Sequence, residues 1–189
     1  MKKTGSWAGT LLVGGVLLAA CSPALNWHTT QLKDAPLQAL LPCDALTASR
    51  PVELGPGLGK VPLSVVGCEV EGATYAVSHY ALGEPVQAAE ALTLWQQVVL
   101  AQLKSADGAA TRLNARGDGP WVPKGALNLP QSLRITFEGQ GPGGQKVVGH
   151  GLWFARLEGR GARLYHAVIY ADKAMPAEAE LFFSGLQLQ

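Results

Sequence analysis

Residues 133–171 read LRITFEGQGPGGQKVVGHGLWFARLEGRGARLYHAVIYA, three apolar-rich runs separated by two glycine turns. Leu133 to Glu138, Lys146 to Leu157 and Arg163 to Ala171 carry the β-branched and aromatic residues that favour strands. Gly141-Pro142-Gly143-Gly144 and the pair Gly159 and Gly161 supply the turns between them. Short turns join strands that run in opposite directions, so this stretch predicts an antiparallel meander. Downstream, Pro176 to Leu186 opens with proline and two glutamates, the residue types that suit a helix N-terminus. It then carries Leu181, Phe182, Phe183 and Leu186, which predicts a C-terminal helix packed on the sheet.

Upstream, Val61, Leu63, Val65, Val66, Cys68 and Val70 alternate up to a turn at Glu71-Gly72, and Ala73 to Leu82 follow: a predicted hairpin. Gly83-Glu84-Pro85 then introduces a helix in which Ala88, Ala91, Leu92, Trp95, Val99 and Leu103 recur at three- and four-residue steps. Trp95 is expected in the core, and the helix is expected to end near Lys104, because Ser105-Ala106-Asp107-Gly108 is turn chemistry. Pro42, Pro51, Gly55, Pro56, Gly57 and Gly59 predict a loop-rich opening before Val61. Residues 105–131 predict a second long excursion, whose chief large apolar anchors are Trp121 and Val122. Two readings of that pair stand open: a surface for a partner, or a tryptophan folded back onto the core. Together the pattern predicts an α+β class, an antiparallel β-sheet of about five or six strands packed with a central and a C-terminal helix.

The N-terminus has a different character. Lys2 and Lys3 precede an apolar run from Trp7 to Ala20, about 14 residues against the roughly 20 a spanning helix requires. The run closes on Leu18-Ala19-Ala20-Cys21, and no acidic residue occurs before Asp34. This order resembles the lipobox signal peptide of bacterial lipoproteins. In that family the cysteine thiol receives a diacylglyceryl group, the signal is cut before it, and the new amine is acylated. The resemblance implies a signal peptide over 1–20, lipidation of Cys21, a short tether over 21–26 and a single globular domain over 27–189. It also implies attachment to a membrane through the lipid, since two or three acyl chains hold a protein firmly where one does not. By the family's sorting rule, Ser22 in place of aspartate implies the outer membrane, with the domain facing the periplasm.

Cleavage before Cys21 leaves 169 of the 189 residues, enough for one real core. It leaves 13 basic against 14 acidic residues, a balance that gives nucleic acid no electrostatic purchase. With Cys21 assigned to lipid, Cys43 and Cys68 remain, in a compartment where disulfides persist. A structural bridge between them is expected; at 25 residues apart they lack the close spacing of metal or redox pairs.

Motifs for chemistry are weak. Gly55-Pro56-Gly57-Leu58-Gly59-Lys60 departs from a phosphate loop, because Pro56 lacks an amide, Val61 replaces Ser/Thr and a strand follows. His28, His79, His150 and His166 show no paired-ligand spacing, although His150 and His166 are expected on neighbouring strands. Glu69 and Glu71 share a strand face in this reading and are expected in solvent, and Arg116-Gly117-Asp118 falls in the excursion. No GxSxG elbow occurs, and no cofactor or metal motif is indicated.

Gly151-Leu152-Trp153-Phe154-Ala155-Arg156, Arg163-Leu164-Tyr165-His166-Ala167 and Glu180-Leu181-Phe182-Phe183-Ser184-Gly185-Leu186 resemble the ending of small envelope lipoproteins of beta-proteobacteria with a PsbP-like fold. Leu41-Pro42-Cys43 and Gly67-Cys68 carry the same likeness. It implies an antiparallel sheet between helices and a non-catalytic binding or assembly module with an envelope protein as partner. A carrier of a small apolar or lipid-like ligand is the alternative, and a hydrolase the third reading.

Overall fold

A computed structural model describes residues 25–54, 59–103 and 116–189. The strands are β1 (His28–Gln31), β2 (Leu37–Leu41), β3 (Leu46–Glu53), β4 (Lys60–Val70) and β5 (Ala73–Leu82); α1 (Ala88–Ala101) follows a single 3-10 turn at Pro85–Gln87. Then come β6 (Arg116–Pro120), β7 (Leu133–Gln140), β8 (Lys146–Glu158), β9 (Gly161–Ala171), α2 (Pro176–Ser184) and β10 (Gln187–Leu188). Seven strands form one sheet in the order β3-β4-β5-β9-β8-β7-β6, and three form another in the order β1-β2-β10. Every pairing is antiparallel.

The α+β class and the meander therefore stand, and the expected five or six strands become ten in two sheets. Of the additional strands, β3 and β6 lie where glycine and proline suggested loops. Leu37, Ala39 and Leu41 point inward from β2 with no exposed surface. β3 is an edge strand exposed along nearly its whole length, so it carries no alternation to read. Its Pro51 lies opposite Pro62; an edge strand tolerates proline because one side of its backbone has no ladder bond to lose. β6, built of Arg-Gly-Asp-Gly-Pro, forms the other edge, with its register broken between Gly117 and Gly119.

Both faces of the seven-stranded sheet are covered. That accounts for the unbroken burial of residues 148–155 in β8 and 164–169 in β9, since a strand with two covered faces has no solvent side. On one face, Trp95 and Leu92 of α1 pack on Tyr80, Phe137, Trp153 and Leu164. On the other, Phe182 and Phe183 of α2, together with the small sheet, pack on Tyr75, Leu152, Phe154 and Tyr165. Glycines in β8 make room for the first set: a Cβ at Gly149 would stand 2.0 Å from the Phe137 ring, and one at Gly151 2.6 Å from the Trp153 ring. The β4–β5 hairpin closes through Glu71 and Gly72, both at positive φ (51° and 75°), the combination a two-residue turn of type I′ requires. Cys43 and Cys68 form the expected disulfide, tying the chain beyond β2 to β4.

Candidate functional site

An open groove of about 700 Å³ lies where the loop after β6 meets the chain leaving α2. One wall is the loop after β6, running through Trp121, Val122, Lys124 and Gly125; the other is the end of α2 and β10, with Ser184, Leu186 and Leu188. The loop is no free excursion. The Trp121 N–H donates to the Ser132 carbonyl (3.2 Å), the Leu127 N–H to Ala155 (2.7 Å) and the Gln96 side-chain amide of α1 to Gln131 (2.8 Å). Trp121 is half-buried, with its ring centroid 6.4 Å from that of Phe183, so it is folded onto the core and lines the groove at once. Arg134 stacks over the same Phe183 ring at 5.1 Å and pairs with Glu180 at 2.6 Å.

Arg156 forms part of the groove. Among the described residues its hydrogen bonds run to the carbonyl oxygens of Pro36 (3.3 Å) and Leu157 (3.4 Å) and to a main-chain oxygen of Gln189, the last residue of the chain (2.5 Å). It thereby joins β8 to the turn before β2 and to the residue after β10. Lys124 is exposed in the groove wall, and no acidic side chain among the described residues lines the groove. Sequence reasoning singled out Trp121 and Val122 and missed Lys124, Arg156 and Leu188. The one signal was Arg156 itself, a charge at the end of an otherwise apolar strand.

The histidines stand apart from the groove. His150 on β8 and His166 on β9 do lie on adjacent strands, but they face opposite sides of the sheet: His166 stacks on Trp153 (4.2 Å) beneath Trp95, whereas His150 faces the chain leading into α2. The Met175 N–H donates to Nε2 of His150 at 3.0 Å, which places the ring proton on Nδ1, donating to Thr136 Oγ1 at 3.1 Å. Thr136 in turn donates to Asp118 Oδ2 at 2.9 Å, so the acidic residue of the Arg-Gly-Asp tripeptide is engaged within the sheet. Burial, then the Arg134 charge, holds His150 below its ordinary pKa.

His79 lies opposite Ser64 across β4 and β5, the juxtaposition a hydrolase would use. Arg163 Nη1 approaches its Nδ1 at 3.0 Å while holding Glu158 through Nε (2.5 Å) and Nη2 (3.2 Å). A guanidinium only donates, so the basic lone pair of His79 is spent on Arg163. Burial and that cation lower its pKa to about 4. Ser64 is turned to the Ser49 hydroxyl at 3.4 Å. A base with its lone pair occupied is no partner for a nucleophile.

His166 is buried to 4 % exposure, its Nε2 has no hydrogen-bond partner among the described residues, and burial lowers its pKa to about 3. His28 stays at the surface, with Nε2 3.8 Å from Asp44. Glu69 ends β4 in solvent and accepts from Thr74 at 3.3 Å, while Glu71 sits in the turn itself, so the two do not share a strand face as expected. No group of three metal-ligating side chains occurs among the described residues. Cys21, the signal segment and residues 55–58 of the glycine-rich stretch lie outside the described residues. Comparison with protein-family models, with curated proteins and with solved structures gave no match.

Proposed function

We propose that this chain is a lipid-anchored module of the bacterial envelope, tethered through Cys21 to the periplasmic face of the outer membrane, which binds a protein partner in the Trp121 groove without chemistry of its own. One observation carries the reading: residues 26–27, which follow the anchor, and the groove lie at opposite ends of β2. Asn26 donates to the Pro42 carbonyl and Trp27 packs on Tyr75, near the disulfide. The groove's Arg156 instead bonds Pro36, at the start of β2. The five residues of β2 separate Pro36 from Pro42, a span of about 20 Å. A tether at one end and a groove at the other suit a module that hangs from a bilayer and presents its binding face away from it.

Two further features support the reading. The Cys43–Cys68 bridge suits an oxidising compartment. The lone pairs of His79 and His150 are committed to hydrogen bonds that hold the fold. Both helix–sheet interfaces are filled by aromatic rings, which favours a partner in the groove over a lipid-like ligand carried between helix and sheet.

The anchor is tested by labelled palmitate, which should enter the wild type and not Cys21→Ser; equal labelling of both would remove it. The groove is tested by a photo-crosslinking residue placed in living cells at Val122 and, separately, at exposed Leu46. A crosslinked species is expected from position 122 alone, and equal yields from both would detach binding from the groove.

A further inference from the structure

We infer that His150 is an acid-sensitive latch on α2: a proton taken up at Nε2 removes the acceptor of the Met175 N–H, and the chain entering the helix lifts from the sheet. The latch lies outside the groove and is independent of what the groove binds. A neutral ring satisfies both of its neighbours. Nε2 accepts from the Met175 N–H at 3.0 Å, Nδ1–H donates to Thr136 Oγ1 at 3.1 Å, and the Thr136 hydroxyl donates to Asp118 Oδ2 at 2.9 Å. The one lone pair open to a proton is therefore the one that holds Met175. A charged imidazole has two N–H donors, so Nε2–H would face the Met175 N–H, donor against donor. Nδ1 loses nothing, because its chain through Thr136 ends on a carboxylate. Protonation thus breaks one side of the chain and keeps the other. Met175, 7 % exposed, then has an unpaired amide in a buried position unless it moves.

The start of α2 has little else to hold it. Its N-cap, Met175, makes no side-chain capping bond, and Pro176 after it has no amide to donate. Pro176 and Ala177 are exposed, whereas the buried residues Ala179, Phe182 and Phe183 lie further along the helix. The first turn can therefore part from the sheet while the later turns stay docked. The charges around the ring set where this happens. Arg134 on β7, itself paired with Glu180 of α2, opposes the proton, as burial does. Asp118 on β6 and Glu178 in the first turn of α2 favour it, and β9 presents Ile169, which does not titrate. Burial is the largest of these influences, so release falls on the acid side of histidine's ordinary 6.5.

The test is amide hydrogen exchange read by NMR on the full chain in mild detergent, expressed as protection factors so that the intrinsic pH dependence of exchange cancels. The amides of Met175 and of Ala179, which donates to the Met175 carbonyl at 2.9 Å, report the latch, and that of Phe183 reports the later turns. Below pH 6.5, protection at Met175 and Ala179 should fall about tenfold per pH unit until the docked ring itself titrates, and at pH 5 Phe183 should remain the better protected. His150→Gln, whose side-chain carbonyl accepts a hydrogen bond but takes no proton, should flatten the fall at Met175 and Ala179. In the wild type alone, the Met175 amide shift should move with the same midpoint as the His150 ring, so the outcome does not depend on the variant folding. One shared protection factor for all three amides at pH 5, a fall that persists in His150→Gln, or different midpoints for ring and amide each overturns the inference.

Discussion

Under α1 the large sheet meets a single helix through a chain of rings, Tyr80 to Trp95 (5.1 Å), Trp95 to His166 (5.6 Å) and His166 to Trp153 (4.2 Å), and three buried polar atoms there, Tyr80 Oη, Trp153 Nε1 and His166 Nε2, have no partner among the described residues. On the opposite face the cover is assembled from segments far apart in sequence: β1 and β2 near the start of the described chain, α2 and β10 at its end. These are joined by directional bonds, from Arg156 to Pro36 and Gln189, from Met175 to His150, from Arg134 to Glu180, and by the disulfide. The contrast is between a face held by burial and a face held by cross-links. A helix of 14 residues following directly in sequence finds its place through an apolar stripe. Two chain ends that must meet each other as well as the sheet gain from bonds that fix their register.

The largest effect is expected under α1, where packed rings dominate. Trp95 is 2 % exposed and touches rings on two strands, so Trp95→Ala should cost about 4 kcal/mol, most of a small domain's stability. Urea unfolding measures it. A loss near 1 kcal/mol would mean that α1 is a loosely held cover, and the contrast between the faces would fail.

The cross-linked face should respond to chemistry that leaves the helix face alone. Reduction of Cys43–Cys68 opens a loop of about 26 residues and should lower stability by about 3 kcal/mol through the unfolded chain's regained freedom. Urea midpoints with and without dithiothreitol give the number. Paired with Trp95→Ala, the two losses should add, because the bridge packs with the cluster under the small sheet and Trp95 with the cluster under α1. Marked non-additivity would show that the sheet transmits strain between its faces.

Legibility in the sequence follows the same division. Trp95 and its helix were readable because a stripe at three- and four-residue steps is a local signal, and the meander because its turns are spelled in glycine. β3 was not readable: every residue from Leu46 to Pro51 is exposed, and only pairing to β4 makes it a strand. β2 did carry alternation in Leu37, Ala39 and Leu41, but in five residues bounded by Pro36 and Pro42 the punctuation outweighs the pattern. Of the groove, Trp121 and Val122 stood out as the large apolar residues of a polar stretch, and both line it. Arg156 gave only the signal of a charge at the end of an apolar strand and Leu188 gave none, since a site assembled from one loop, the end of one strand and the chain beyond α2 exists only after the fold has formed.

The smallest of these effects is also the sharpest probe of the helix face. His166 has its pKa lowered to about 3 by burial, while the unfolded chain's histidine titrates near its ordinary 6.5. Above pH 6.5 both states hold the ring neutral and the group is silent. Below it the unfolded chain takes a proton that the folded chain refuses, so stability falls as the pH drops, until the folded ring also protonates near pH 3. At pH 5 the loss traceable to His166 should be about 2 kcal/mol. His79, lowered to about 4, and His150, also lowered, act in the same sense on the other face, so the wild type as a whole should weaken with acid. His166→Phe keeps the stack on Trp153 and removes the titration. The stability difference between pH 8 and pH 5 should therefore shrink by about 2 kcal/mol in that variant. If it does not shrink, the ring under α1 is reached by solvent, and that face is not held by burial in the way its aromatic chain implies.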